Sequence, residues 1–164
     1  MQKMIMVSAC LLGYQVRYDG ADQSLPKLSQ RLSEFFTLQA FCPEMEIGLG
    51  VPRGKIALQQ QGKQTKVIRC ADQQDLTLLM QQSARDFLAV NTISGMILKD
   101  KSPSCGVNNC QRWDEQGTMQ RNGTGIFAET VLRLQPDMPM LQSCDVDNVK
   151  QLQAFIQAVE SYEY

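Results

Sequence analysis

The sequence predicts a three-layer α/β domain, a mostly parallel sheet flanked by helices, and three observations carry that reading. Short apolar runs alternate along the chain with segments whose apolar residues recur at helical spacing. Three of the runs share a layout, an apolar stretch that ends in turn residues and a cysteine. Met4-Ile5-Met6-Val7-Ser8-Ala9 leads to Cys10, Thr37-Leu38-Gln39-Ala40-Phe41 to Cys42-Pro43-Glu44, and Ile97-Leu98 through Lys99-Asp100-Lys101-Ser102-Pro103-Ser104 to Cys105-Gly106. The last segment is a long amphipathic helix that can cover one face of the sheet.

In chain order, the first strand runs from Lys3 to Ala9, and Asp19-Gly20 marks a turn in the polar loop beyond Cys10-Leu11-Leu12-Gly13. Pro26 suits the first turn of a helix carrying Leu28, Leu32, Phe35 and Phe36. That helix crosses over to the second strand, Thr37 to Phe41. The segment from Cys42 to Gly54 is read as a long Gly- and Pro-rich loop with Glu44 and Glu46 close to the cysteine. Lys55 to Leu58, the turn at Gln61-Gly62-Lys63 and the return from Lys66 to Cys70 form a hairpin. Asp75 caps the next helix, with Leu76, Leu79, Met80, Ala84, Phe87 and Leu88 in one apolar stripe that ends between Asn91 and Gly95. The central strand, Met96 to Lys99, delivers the Cys105 loop. Gly106 to Gly125 is a loop or short hairpin ending in a flap, and a helix from Gly125 to Leu134 carries Ile126, Phe127, Val131 and Leu132. Pro136 and Pro139 end it before a short extended piece at Met140-Leu141. The closing helix, Asp147 to Tyr162, aligns Val149, Leu152, Phe155, Ile156 and Val159. The alternation is Rossmann-like, and in such sheets ligands bind beyond the carboxyl ends of the strands. If the three runs lie parallel in one sheet, their thiols emerge together there.

With 164 residues the chain fits a single domain, 1–164, large enough to bury a core without staples. A hydrophobic share of 43% and a charged share of 20% mark ordinary globular material, and no apolar run approaches the roughly 20 residues of a membrane span. The formal net charge of −1 excludes a global basic field that would draw the chain onto nucleic acid. Six cysteines are too few for a disulfide scaffold of this length, and Met1-Gln2-Lys3 enters directly into a strand. The expectation is a cytoplasmic protein with reduced thiols. The chain has no histidine, which removes the commonest general base, the Cys-His and Ser-His pairs and most zinc sites. Chemistry then falls to thiolates, carboxylates, hydroxyls, Lys, Arg or Tyr.

A free cysteine is most often a small buried apolar residue, and that reading applies to Cys70, inside a strand, and to Cys144. Cys10, Cys42 and Cys105 lie just past strands among polar and turn residues. Convergent, they suit a [4Fe-4S] cluster, or zinc with a fourth ligand. Three cysteines on a cubane leave one iron free of protein, the mark of a Lewis-acid catalyst, unless Cys110 closes the site. Glu44, two residues from Cys42, can serve as acid or base, with Glu46 as its competitor. Lys99, Lys101, Arg17, Arg53 and Arg112 would give the mouth a positive rim suited to an anionic or phosphate-bearing ligand.

Val7-Ser8-Ala9-Cys10-Leu11-Leu12-Gly13 with Val16-Arg17-Tyr18-Asp19-Gly20, Phe41-Cys42-Pro43-Glu44 with Gly48-Leu49-Gly50-Val51-Pro52-Arg53, and Leu98-Lys99-Asp100-Lys101-Ser102-Pro103-Ser104-Cys105-Gly106 together resemble the thiouracil desulfidases, a family long known only as a domain of unknown function. Phe127-Ala128-Glu129 is similar to a further family segment, so the likeness extends from about residue 4 to residue 141. The resemblance implies a [4Fe-4S] cluster held by Cys10, Cys42 and Cys105, with Glu44 and Ser102 as catalytic residues. It implies non-redox removal of sulfur from a thiolated pyrimidine of the 2-thiouracil or 4-thiouracil type, as free base, nucleoside or in tRNA. The small-molecule pyrimidine is the favoured partner. Relatives acting on tRNA usually carry an added C-terminal domain, which the chain is expected to lack, and residues 142–148 depart from an acidic stretch of the family. The alternatives are a cluster-bearing sulfur carrier or tRNA thiolation protein, and a non-catalytic metal-binding module. No Gly-rich phosphate loop of the Walker type supports ATP use.

Overall fold

The structure is a computed structural model that describes residues 1–20 and 24–164. Strand β1 (Met4–Ser8) runs into one turn of 3-10 helix, Ala9–Leu12, closed by Gly13 in the left-handed region at φ 93°. Helix α1 (Pro26–Ser33) starts on its proline and buries Leu28 and Leu32. Strand β2 (Thr37–Phe41) leads into α2 (Pro43–Glu46), a single turn where the sequence predicts only loop. Strands β3 (Ile56–Gln61) and β4 (Gln64–Arg69) form the expected hairpin. Helix α3 (Thr77–Val90) follows; its cap residue is Leu76 rather than the expected Asp75, which stands one residue earlier and accepts from the Thr77 amide through Oδ1 at 2.9 Å. Strand β5 (Met96–Leu98) precedes the Cys105 loop, and β6 (Cys110–Trp113) with β7 (Met119–Gly123) makes a second hairpin. Helix α4 (Ile126–Leu134), strand β8 (Met140–Gln142) and helix α5 (Val149–Ser161) complete the chain.

Strands β2, β1, β5 and β8, in that order, form a wholly parallel sheet. Side chains alternate across it with period two. Met6, Met96 and Leu98 face a core built with Met80, Ala84 and Phe87 of α3 and Ile126, Phe127 and Val131 of α4. Ile5, Val7, Ile97 and Leu141 face a second core with Leu28 and Leu32 of α1 and Leu152, Phe155 and Val159 of α5. The predicted parallel sheet between helices is therefore present. The sequence reading lacked a second sheet of order β4-β3-β6-β7, in which both hairpins join through a parallel β3–β6 pair. Its Ile56, Leu58 and Val67 pack into the α3/α4 core. Among the described residues no helix is long and apolar enough to cross a membrane.

Some assignments by periodicity need correction. Phe35 (47% exposed) lies beyond the end of α1 at Ser33, so helical spacing no longer aims it inward. Leu79 (50%) and Val149 (59%) sit at the margins of their helices' buried lines, which Met80 and Leu152 occupy instead. Cys70 is not a core residue inside a strand: β4 ends at Arg69, and Cys70 is exposed in the following turn. Cys144, in a 3-10 turn after β8, is exposed too.

Candidate active site

Strands β1, β2 and β5 are parallel neighbours, so the loops leaving their carboxyl ends share one rim. Cys10 sits in the turn after β1, Cys42 at the residue between β2 and α2, and Cys105 in the loop after β5. All three line a single cavity of about 410 Å³, together with Glu44, Ser102, Ser104, Arg17, Tyr18, Arg53, Lys55 and Lys99. Cys10 and Cys105 are buried and Cys42 is half-buried.

The Cys105 loop is held by its backbone. The carbonyls of Pro103 and Ser104 accept from the first-turn amides of Ile126 and Ala128 at 3.1 and 3.2 Å, and Gly106 accepts from Gly125 at 2.8 Å. These bonds satisfy donors a helix start leaves free. Gly125 permits the approach, since a Cβ there would stand 2.3 Å from the Ser104 carbonyl carbon and 2.6 Å from the Cys105 nitrogen. Within the loop, Ser102 Oγ accepts from the amides of Ser104 and Cys105 at 3.2 and 3.1 Å. Ser8, buried at the end of β1, accepts from the Lys99 amide at 3.0 Å and ties the first and third cysteine loops together.

Burial raises all three thiols, and a neighbouring thiol adds to the effect at Cys10 and Cys105. Cys10 is pushed up to about 11 by burial first and by Cys42 second. Burial also raises Cys42, with Glu44 adding to the effect and the Met45 backbone opposing it. Burial pushes Cys105 up strongly, Cys42 and Cys10 add to it, and the Ser104 and Ser8 hydroxyls oppose it. Cys10 and Cys105 therefore sit in the field of Cys42, the condition that a bound cation relieves by replacing protons. This soft donor set fits an iron–sulfur group. Among the described residues no three His, Cys, Asp or Glu side chains are grouped so as to hold a metal ion.

Glu44 faces the same cavity with both oxygens engaged. Oε1 accepts from Arg53 Nε at 3.2 Å, and Oε2 from Ser104 Oγ at 3.3 Å. Ser104 in turn lies 2.9 Å from Ser102 Oγ and 3.7 Å from Cys105 Sγ. Glu46 is exposed and lines a shallow neighbouring groove rather than this cavity. Cys110 is buried and donates to the Ser102 carbonyl at 3.0 Å; it is not a wall of the cavity. Of the expected rim, Arg17, Arg53, Lys99 and Lys101 line the cavity, whereas Arg112 bonds Gln60 and Gln120 on the second sheet. Arg53 and Lys99 are paired with Glu44 and Asp100 at 3.2 and 2.6 Å. Two wall residues lie outside the expected site set: Lys55, and the motif residue Tyr18, whose ring stands 5.5 Å from Lys55 Nζ and 5.6 Å from Arg17 Cζ. The sequence reading also gave no role to Ser8, although that residue immediately precedes the first cysteine turn.

Comparison with known proteins places these residues in context. A family model described as 2-thiouracil desulfurase matches residues 5–143. The YbbK protein of Bacillus subtilis (strain 168) is 34% identical over 112 residues, covering 63% of this chain and 73% of that protein. The solved structure of the [4Fe-4S]-dependent thiouracil desulfidase TudS superposes with a TM-score of 0.69 at 27% identity, over 93% of this chain and 99% of that one.

Proposed function

The chain belongs to the 2-thiouracil desulfurase family, and we propose that residues 1–164 form one desulfidase domain that hydrolyses the C=S bond of a thiolated pyrimidine in the cytoplasm. The observation that carries this reading is the shared cavity of Cys10, Cys42, Cys105 and the doubly tethered Glu44. Cys10, Cys42 and Cys105 would hold a [4Fe-4S] cluster. The absence of histidine and the likeness to the [4Fe-4S]-dependent desulfidase support a cluster over zinc, and the turn of Cys110 toward the Ser102 carbonyl supports a cluster without a fourth protein ligand. When bound, such a cluster supplies a Lewis-acidic iron that polarises a thiocarbonyl.

The chain's own residues supply the proton chemistry. Glu44, held by Arg53 on one oxygen, takes a proton from the attacking water through the other oxygen or through Ser104. Ser102, in contact with Ser104, orients the substrate and extends the relay. The balance is C=S plus water to C=O plus hydrogen sulfide, with no electron transferred. Arg17, Arg53, Lys55, Lys99 and Lys101 outnumber the carboxylates Glu44 and Asp100 in the walls, which suits the negative charge of three thiolates holding a cluster. A cavity of about 410 Å³ lies within the range of small-molecule sites and supports a free base or nucleoside over tRNA.

Anaerobic reconstitution, followed by sulfide release from 2-thiouracil, 4-thiouracil, their nucleosides and thiolated tRNA, tests the proposal and ranks the substrates. C105S is expected to lose cluster absorption and turnover together, and turnover retained by C105S overturns the assignment. E44Q is expected to keep the absorption and lose turnover by about 100-fold or more. Net sulfur transfer into a nucleotide with an ATP requirement would instead identify a thiolation enzyme.

A further inference from the structure

The Arg53 side chain is 4% exposed, and each nitrogen of its guanidinium has a separate acceptor. Nε donates to Glu44 Oε1 at 3.2 Å, one terminal nitrogen to the Gly50 carbonyl at 2.7 Å, and the other to the Val16 carbonyl at 2.5 Å. The Arg53 amide adds a bond to the Tyr18 carbonyl at 2.9 Å. Two loops of different origin are thereby joined, the one after β1 that carries Arg17 into the cavity and the one after β2 that carries Glu44. With a further contact to Met45 Sδ at 3.7 Å, four of the five guanidinium N–H groups are directed at the protein itself, which marks Arg53 as a clamp between loops more than a substrate ligand.

We infer that Arg53 is a positioning residue for the reaction: it aims the Glu44 carboxylate at Ser104 and holds the Val16–Tyr18 segment, with Arg17, against the substrate side of the cavity. The inference rests on the reading of Glu44 as the base. Carboxylate and hydroxyl meet at 3.3 Å only while Oε1 is anchored, and freeing that anchor lets the carboxylate turn away. Lysine cannot substitute, because one ammonium cannot reach Glu44, Gly50 and Val16 in the fixed directions a planar guanidinium provides.

The test compares reconstituted wild type, R53A, R53K and E44Q by iron content, by kcat and KM for 2-thiouracil, by added methylguanidinium, and by trypsin cleavage after Arg17. R53A is expected to keep its iron and lose about 100-fold in kcat, the usual cost of a misplaced catalytic group. Methylguanidinium should restore R53A turnover saturably, and methylammonium should not. Trypsin should cut after Arg17 faster in R53A than in wild type, with or without the cluster. R53K should hold the cluster and turn over more slowly than wild type, which keeps the test available if R53A does not fold. Wild-type turnover by R53K, absence of rescue in a folded R53A, or loss of iron from both variants overturns the inference. If E44Q turns over normally the base assignment itself fails; if E44Q is inactive while R53A is not, only the positioning role fails.

Discussion

At the scale of single residues, the cavity thiols oppose folding of the empty protein at high pH. A cysteine whose folded pKa is raised binds its proton more tightly in the native state, so its contribution is full at neutral pH and is lost as pH rises past the unfolded value. For Cys10, pushed from 9.0 to about 11 by burial and by Cys42, the loss is on the order of 1 kcal/mol by pH 10. Urea unfolding of metal-free protein should therefore show stability falling between pH 8 and 10, and C10A should flatten that slope. Reagent access separates the cysteines differently: iodoacetamide followed by peptide mass spectrometry should find exposed Cys70 labelled before buried Cys10, Cys105 and Cys110. Local sequence misassigned Cys70 because a β-branched run next to a cysteine looks like a strand interior. Whether the cysteine falls inside the strand or one residue past its end depends on where the pairing with β3 stops.

Among the elements, the start of α4 does the most to place the site, because its first-turn amides hold the loop that presents Cys105. G125A forces that loop away from the helix, and overpacking of this kind costs about 1–3 kcal/mol. The expected result is a lower urea midpoint together with loss of iron from the reconstituted protein. At the other end of the domain, Lys3 Nζ donates to the carbonyls of Val159, Glu160 and Tyr162 at 3.0, 2.9 and 2.6 Å, closing the last turn of α5 with a positive charge. K3A should destabilise the protein by about 1–2 kcal/mol in urea unfolding with little effect on turnover. Helix α3 shows how far periodicity reaches. It identified the helix and the Met80, Ala84 and Phe87 line, yet it placed Leu79 in the same stripe. A residue at the edge of an apolar face is buried only if a neighbouring element covers that edge, and Leu79 keeps half of its surface exposed.

For the molecule as a whole, the parallel sheet separates two cores that, among the described residues, share no side chains. L32A in the α1/α5 core and M80A in the α3/α4 core should each cost about 2–5 kcal/mol. The double variant should lose their sum within about 0.5 kcal/mol in the same urea assay; a smaller loss would show that the cores communicate through the sheet. Legible in the sequence alone were the alternation of strands and helices, the continuous apolar runs of β1 and β5, the proline that starts α1, and the desulfidase motifs. These are local patterns, set by side-chain direction and backbone dihedrals within a few residues. Only the tertiary structure decided that β6 pairs with β3 in a second sheet, that Ser104 rather than Ser102 meets Glu44, that Cys110 faces away from the cavity, and that Arg53 joins two loops. Each of these depends on strand order and loop approach between residues distant in the chain, where apolar burial says that a segment must pack but does not say against what.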